Sequence, residues 1–186
     1  STVLSRYQLR DDHLAPALLE TPDGRIAAFW AGHGRAPGRY RVSTQPGSVT
    51  SMTATRALKG SGLEQANATY VQAFRMRGVT NQYHVLTRRH SDQNWVLTTS
   101  KDLVTWTKPV QLFRHSSWSV RTWPYVEAAT AGRRQIHLAV TDGHPAQGID
   151  TSLHHFTYDA ATRRMATAAG TAVQRPANPR SGTLVY

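Results

Sequence analysis

The chain has 186 residues, 39% of them hydrophobic, with no cysteine and with 22 Lys and Arg against 11 Asp and Glu, a net charge of +11. That length suits one domain, the absence of cysteine excludes disulfides and thiolate metal sites, and no apolar run approaches the roughly 18 residues of a membrane span. The excess of Arg favours a polyanionic partner, either nucleic acid or acidic glycan, although a genome-wide bias toward Arg explains the charge equally well.

Short alternating or apolar segments, bounded by Gly, Pro, Asp and Asn, follow one another along the chain. They predict β-strands, and no helical pattern longer than a turn or two interrupts them. The predicted strands fall in three sets of four: 15–20, 25–31, 40–44 and 51–58; 70–76, 82–88, 95–100 and 108–113; 125–130, 135–141, 152–158 and 164–169. The sets begin about 55 residues apart, which is the spacing of propeller blades. The sequence therefore predicts an all-β chain of about three four-stranded blades.

Two predicted turns support these hairpins. Residues 21–24, Thr-Pro-Asp-Gly, separate the first two strands of the first set, and Asp-Gly suits a hairpin turn. Ala131 and Gly132 occupy the same place in the third set. The same slot thus recurs in two of the predicted blades.

Residues 100–106, Ser-Lys-Asp-Leu-Val-Thr-Trp, resemble the Asp-box of bacterial neuraminidase repeats, which closes the turn between the last two strands of a blade. Val104 stands where the Asp-box has Gly. The resemblance implies a structural role, in which Asp102 accepts hydrogen bonds from backbone N–H groups and Trp106 packs between blades.

A closed propeller needs at least four blades, and three leave exposed strand edges. We therefore expect a partial β-propeller over residues 1–186, with blades at about 10–60, 66–115 and 121–170 and with 180–186 opening a further blade. The chain would be a fragment of a larger propeller, one with seven blades, unless copies associate to close the ring.

Two histidines frame the first predicted hairpin. His13 precedes the first strand and His33 follows the second. Because two antiparallel strands joined by a tight turn bring those ends together, we expect the two imidazoles to be neighbours.

Several segments together resemble polysaccharide lyases built on neuraminidase-type (BNR) repeats, namely the ulvan lyases and related rhamnose–glucuronate lyases. Residues 11–19 and 22–34 are similar to the opening blade of that group, and Thr69-Tyr70 to the start of its next blade. Residues 123–126, Trp-Pro-Tyr-Val, and 136–145, which contain Thr-Asp-Gly-His-Pro, resemble two further segments. The similarity covers most of residues 10–158.

The resemblance implies β-elimination at a uronic acid within a chain. This reaction needs a group that neutralises the carboxylate, a base that takes the C5 proton and an acid that protonates the departing oxygen. Arg and His suit the first task, and Tyr suits the other two where positive charge lowers its pKa from about 10.

Carried over position by position, the resemblance makes His13 and His33 the paired active-site histidines and Tyr70 the group that transfers the proton. Arg88 would neutralise the carboxylate, and Tyr125 is a second candidate for proton transfer or substrate contact. Both tyrosines could instead be packing aromatics with a hydrogen-bonded hydroxyl. The candidate substrate-binding residues are Arg89, Trp30 and Arg121.

No cofactor is expected for catalysis. His144 is either a turn residue or a ligand of a structural metal ion, as in some relatives. Because the chain lacks cysteine, a version of that metal site with a thiolate cannot form.

The main functional hypothesis is thus a lyase acting on an anionic, uronate-containing polysaccharide, secreted or periplasmic. The first residues do not have the pattern of a signal peptide, and a leader removed before residue 1 is compatible with this sequence. One alternative is a hydrolase of the sialidase type, which needs an acidic proton donor and a Tyr–Glu pair, with Glu20, Glu64 and Glu127 as the glutamates available. Another is a non-catalytic propeller that binds acidic glycan. Nucleic acid is not expected as a partner, because no nucleic-acid motif accompanies the charge. A membrane is not expected either, because no apolar run is long enough to span one.

Overall fold

The computed structural model of the chain describes residues 12–144 and 150–186. These residues form three sheets and three single-turn 3-10 helices, which are Asp12–Leu14, Val120–Thr122 and Pro179–Ser181. No helix in this described part is long and apolar enough to cross a membrane.

The first two sheets are four-stranded, with their strands in chain order. The first sheet contains β1 (Ala17–Glu20), β2 (Ile26–Trp30), β3 (Arg39–Val42) and β4 (Arg56–Ala57). The second sheet contains β5 (Ala68–Arg75), β6 (Tyr83–Arg89), β7 (Trp95–Ser100) and β8 (Val110–Phe113). Each is therefore the four-stranded meander that a blade requires, and the predicted strands are confirmed in number and order.

The third sheet has six strands, where the sequence predicted four. They are β9 (Val126–Ala131), β10 (Gln135–Thr141), β11 (Leu153–Asp159), β12 (Arg164–Ala166), β13 (Ala172–Val173) and β14 (Thr183–Leu184). The first five follow one another in order, and β14 pairs with β11.

The prediction that residues 180–186 open a further blade stays a prediction, and within the described residues this segment adds a strand to the third sheet. In β14, Thr183 and Leu184 pair with His155 and His154 of β11. The reason is that β12 is short and pairs only with Thr157–Asp159, which leaves the first half of this β11 edge available. Unpaired backbone N–H and C=O groups on a strand edge favour such an addition.

Two compact units contain these elements. The first comprises Ser1–Arg75, Asn81–Ser91 and Leu97–Pro109, and the second Met76–Thr80, Asp92–Val96 and Val110–Tyr186. The first unit buries Phe29, Tyr40, Leu86, Leu97 and Trp106. In the second unit, Ile136, Leu138 and Val140 alternate with half-exposed or exposed residues along β10 and are almost fully buried. This alternation follows from the period of two in a strand.

Both predicted turns are present. In the turn between β1 and β2, Gly24 donates a backbone hydrogen bond to Thr21 O (3.0 Å) and has a φ of 78°. Gly132, directly after β9, has a φ of 61°. A positive φ favours glycine, so the two glycines explain why the hairpins reverse where they do.

The Asp-box turn has the structural form expected of it. The turn follows β7 and is closed by an antiparallel bridge between Ser100 and Trp106. Asp102 Oδ1 accepts hydrogen bonds from the backbone N–H groups of Val104 (2.9 Å) and Thr105 (3.0 Å). Trp106 is 2% exposed and packs edge-on against Phe29 and Tyr40, with centroid separations of 5.9 and 5.8 Å. The turn therefore connects the second meander to the core of the first.

Candidate active site

The hairpin of β1 and β2 brings the two predicted histidines together. Ala17 pairs with Phe29, so continuing the same register outward places residue 13 opposite residue 33. The imidazole rings of His13 and His33 are stacked, with centroids 3.8 Å apart and planes 7° from parallel. Their predicted proximity is confirmed.

The loop that carries His33 has a backbone conformation that few sequences adopt. His33 has a φ of 47° and Gly34 a φ of 72°. Gly34 donates its N–H to Ala68 O (2.9 Å), and a Cβ at this position would collide with the His90 ring. Only glycine leaves room there, and its hydrogen bond to Ala68 holds the loop that carries His33 beside the start of β5.

Tyr70 joins the histidines through a bulge in β5. Thr69 pairs with Arg88 and Val71 with Thr87, so Tyr70 is the extra residue, and its φ is 53°. Its ring centroid lies 4.6 Å from that of His13. A positive φ at a tyrosine is a strained conformation of the kind that clusters at functional sites.

Arg88 completes the group from β6. Its side chain is buried, with 5% of the residue exposed, and its Cζ lies 5.0 Å from the centre of the Tyr70 ring. A guanidinium at this distance from an aromatic face makes a favourable cation–π contact. His13, His33, Tyr70 and Arg88 therefore form one cluster within the first unit, which we call the His–Tyr–Arg cluster.

Trp30 and Arg89 lie elsewhere in the first unit. Both line a small, mainly apolar cavity of about 10 Å³, along with Phe29, Val71 and Val85. Such a volume holds about one water molecule and no sugar ring. Because successive residues of a strand face opposite sides, Arg89 points away from the face on which Arg88 lies. Their role in substrate binding stays a prediction.

The second unit holds the remaining candidates. Tyr125 directly precedes β9, donates its backbone N–H to Thr141 Oγ1 (3.0 Å) and packs edge-on against His144, with centroids 4.8 Å apart. Arg121 is exposed at the surface, and its carbonyl oxygen lies so close to Gly143 that a Cβ there would collide with it. The structure thus places Tyr125, His144 and Arg121 around the end of β10.

The metal role of His144 stays a prediction. Within residues 12–144 and 150–186, no group of three or more His, Asp or Glu side chains has an arrangement that could hold a metal ion. Pro145, which belongs to the same motif, lies outside the described residues.

Asp142, two residues before His144, is a fixed anion. Burial acts to raise the pKa of its carboxyl group, but the backbone N–H of Ser152 (2.8 Å to Oδ1) and the guanidinium of Arg180 (Nε 2.8 Å from Oδ2) outweigh burial and hold that pKa below its usual value. Asp142 is therefore suited to anchoring the β10–β11 connection rather than to donating a proton.

The sequence alone assigned no role to His90. In the structure His90 donates its backbone N–H to Asn67 O (2.9 Å) and packs its ring over Gly34. The available signal was the hairpin of β5 and β6, because a residue just after β6 lies opposite the residue just before β5.

Comparison with known proteins supports the resemblance seen in the sequence. Residues 2–186 match the model of a family described as BNR repeat-containing family member. No curated protein sequence matches the chain.

The solved structures that resemble the chain include three structures of polysaccharide lyases. A PL25 ulvan lyase bound to -[GlcA(1-4)Rha3S]- has a TM-score of 0.76 at 17% identity, over 95% of this chain and 46% of its own. A second PL25 ulvan lyase structure has a TM-score of 0.72 at 16% identity, over 95% of this chain and 46% of its own. The polysaccharide lyase Uly1 has a TM-score of 0.64 at 15% identity, over 94% of this chain and 46% of its own. The chain thus spans about half the length of these lyases, and the shared fold supports the predicted partial propeller.

Proposed function

The chain belongs to the BNR repeat-containing family, and from this premise we propose that it is part of a polysaccharide lyase that cleaves a uronate-containing glycan by β-elimination. The observation that carries the proposal is the His–Tyr–Arg cluster, in which two imidazoles, a phenol and a buried guanidinium meet within a few ångströms.

The proposed reaction assigns one task to each kind of group. Arg88, a fixed positive charge, neutralises the uronate carboxylate and so makes the C5 proton easier to remove, with His13 and His33 as hydrogen-bonding partners of the same sugar. Tyr70, acting in its deprotonated form, accepts the C5 proton, and the electron pair left on C5 forms the C4=C5 double bond as the bond from C4 to the glycosidic oxygen breaks. The phenol of Tyr70 so formed then gives its proton to the leaving oxygen. Tyr125 is a second candidate for proton transfer.

Further support comes from the strained backbone at the cluster. Both His33 and Tyr70 have positive φ values, 47° and 53°. Each such conformation costs on the order of 1–3 kcal/mol and persists only where surrounding structure imposes it. Positive φ is not confined to the cluster, since it also occurs at Gln93, Leu103 and Arg163. In the cluster, however, two such residues contact the same imidazole, that of His13.

The polymeric substrate that we propose would place the protein in a secreted or periplasmic compartment, and its acidity suits a chain with a net charge of +11. Ulvan is the first substrate to test, since solved ulvan lyases share the fold.

The deciding experiment incubates the chain with ulvan, with a non-sulfated glucuronate polymer and with a neutral glucan, and follows the ultraviolet absorbance of the unsaturated uronate. A lyase produces this absorbance with the acidic polymers alone. New reducing ends without it would identify a hydrolase instead. Binding without any new ends would identify a non-catalytic glycan-binding protein.

A further inference from the structure

Many arginines of the chain already have partners. Arg25 Nε pairs with Asp23 Oδ2 (2.7 Å), and Arg180 Nε pairs with Asp142 Oδ2 (2.8 Å). Arg39 donates to the carbonyl oxygen of Glu64 (3.0 Å). Such side chains are held in place by the fold, so they offer fewer donors to an external anion.

Three arginines of the second unit differ. Arg77, Arg133 and Arg134 are exposed and line one cleft of about 580 Å³. Within the residues that the structure describes, no ion pair or side-chain hydrogen bond engages any of the three guanidinium groups. Their donors are therefore available to a ligand in the cleft, which we call the arginine cleft.

The backbone around the arginine cleft is fixed. Arg77 donates its N–H to Arg133 O (2.8 Å), and Ala160 donates its N–H to Arg134 O (2.8 Å). Gly78 and Gly132 line the cleft with φ values of 72° and 61°, and no atom lies within 4 Å of where their Cβ would be. The two hydrogen bonds hold the backbone of the floor in place, and the two glycines leave the floor open to a sugar unit.

The one carboxylate in the cleft is largely satisfied by its own loop. Asp159 Oδ1 accepts hydrogen bonds from the backbone N–H of Thr162 (2.7 Å) and of Ala161 (2.9 Å). The pKa of Asp159 is lowered mainly by that N–H of Thr162, and the charge of Arg134 contributes least. The cleft therefore keeps an excess of positive charge.

We propose that the arginine cleft is a second binding site, which takes a segment of an acidic polysaccharide through its sulfate or carboxylate groups. A guanidinium offers paired donors that match either group. The volume lies within the roughly 300–1,000 Å³ range of ligand sites and so suits a short oligosaccharide. None of the lining residues is aromatic, so the cleft lacks the stacking platform on which nucleobases depend.

The cleft lies apart from the candidate residues of its own unit. It surrounds the turn between β9 and β10, whereas Tyr125 and His144 lie at the other end of β10. The class of ligand that we infer, an acidic polysaccharide, rests on the proposed function. The location of the site rests on the arginine cleft itself. A lyase with such a site would hold the polymer at two points, which raises its effective affinity for long chains.

The test measures binding by calorimetry to heparin hexasaccharide, to hexagalacturonate and to an oligothymidylate with the same charge as the hexagalacturonate. Heparin carries sulfates and carboxylates and hexagalacturonate carries carboxylates alone, so binding of the second probe shows whether carboxylates suffice. The variant replaces Arg77, Arg133 and Arg134 by Gln, and the matched control replaces Arg25, Arg41 and Arg56 by Gln, removing the same charge. Urea denaturation checks that both variants remain folded.

We expect the cleft variant to lose affinity for at least one oligosaccharide by on the order of 10- to 100-fold, and the control by less than about twofold. Equal losses in the two variants, or no binding by the wild type, would overturn the proposal. Tighter binding of the oligothymidylate would assign the cleft to nucleic acid. A Tyr70→Phe variant separates this proposal from the lyase proposal, because it should lose turnover and keep cleft binding.

Discussion

At the level of single residues, the candidate site depends on two backbone positions rather than on side-chain types alone. His33 and Tyr70 adopt positive φ in the structure, at 47° and 53°. Histidine is among the residue types enriched in this region, whereas tyrosine is not. The bulge in β5 imposes the conformation of Tyr70, and the hydrogen bond from Gly34 to Ala68 supports that of His33.

The phenol of Tyr70 gives the first prediction. Tyr70→Phe should lower turnover of the uronate polymer by about 10²–10⁴-fold, the usual contribution of a group that transfers a proton, while substrate affinity changes little. Steady-state rates of unsaturated product and direct binding measurements separate the two effects. Tyr186→Phe is the control, because Tyr186 is 88% exposed at the chain end. Unchanged turnover in Tyr70→Phe would remove Tyr70 from the mechanism.

The guanidinium of Arg88 gives the second prediction. Arg88→Lys should lower turnover by about 10²–10³-fold, because a single ammonium cannot offer paired donors to the carboxylate. Arg25→Lys is the matched control, because Arg25 pairs with Asp23 beside the turn between β1 and β2. Arg89→Lys tests the neighbouring arginine, which points to the other face of the sheet and lines the small apolar cavity. A larger loss in Arg89→Lys than in Arg88→Lys would reverse the assignment made from the sequence.

At the level of elements, the strongest structural motif is the Asp-box turn. Asp102 and Ser100 accept hydrogen bonds from the backbone within the turn, including Leu103 N to Ser100 Oγ (3.0 Å), and Tyr40 donates its hydroxyl to Leu103 O (2.6 Å). The turn thus links the end of β7 to the core of the first sheet.

Asp102 gives the third prediction. Asp102→Ala should reduce the free energy of unfolding by about 0.5–2 kcal/mol, as does the loss of a side chain that caps backbone N–H groups, and Lys101→Ala should change it little. Urea denaturation monitored by tryptophan fluorescence measures both. Equal stability of the wild type and Asp102→Ala would show that the turn does not need the carboxylate.

The same carboxylate predicts a dependence on pH. The N–H groups of Thr105 and then Val104 hold the pKa of folded Asp102 below its usual value. Because the folded pKa is lowered, the stabilisation is complete above the unfolded pKa, about 3.9, and is lost as pH falls through the folded pKa. The difference in stability between wild type and Asp102→Ala should therefore stay constant above about pH 5 and shrink in more acidic solution.

The sequence predicted a strand well where its residues are all buried, as in β7, or alternate between buried and at least partly exposed, as in β10. It predicted short strands poorly. β7 and β10 match their predicted bounds, because their apolar residues are bounded by clear turn signals. The predicted strand 51–58 is only Arg56–Ala57 in the structure, since Thr44 and Ser51 instead bond to each other across a loop. The two-residue strand β13 carries no periodic signal and was missed, whereas a strand was predicted at the end of the chain but its pairing with β11 was not. For the site, hairpin geometry predicted that His13 and His33 would meet, but the positive φ values and the arginine cleft depend on tertiary contacts.

At the level of the whole molecule, the chain combines a family fold with an unusual charge. It shares its fold with lyases of which it spans about half the length. Its 22 Lys and Arg residues against 11 Asp and Glu residues create a positive field that any polyanion experiences before it reaches a particular site. The two effects can be separated, because the field acts at long range and is screened by salt, whereas contacts in a cleft are short-ranged.

Salt dependence is the fourth prediction. The affinity of the wild-type chain for a sulfated polysaccharide should fall steadily as sodium chloride rises from about 0.05 to 0.5 M, since the Debye length shrinks from roughly 14 to 4 Å over that range. Titrations at several salt concentrations give the slope, and a neutral glucan serves as the control. If the arginine cleft contributes direct contacts, replacing Arg77, Arg133 and Arg134 should lower the affinity at every salt concentration and make the slope shallower. An affinity that does not change with salt would mean that binding depends on apolar contact, and would contradict the role that we give to the arginines.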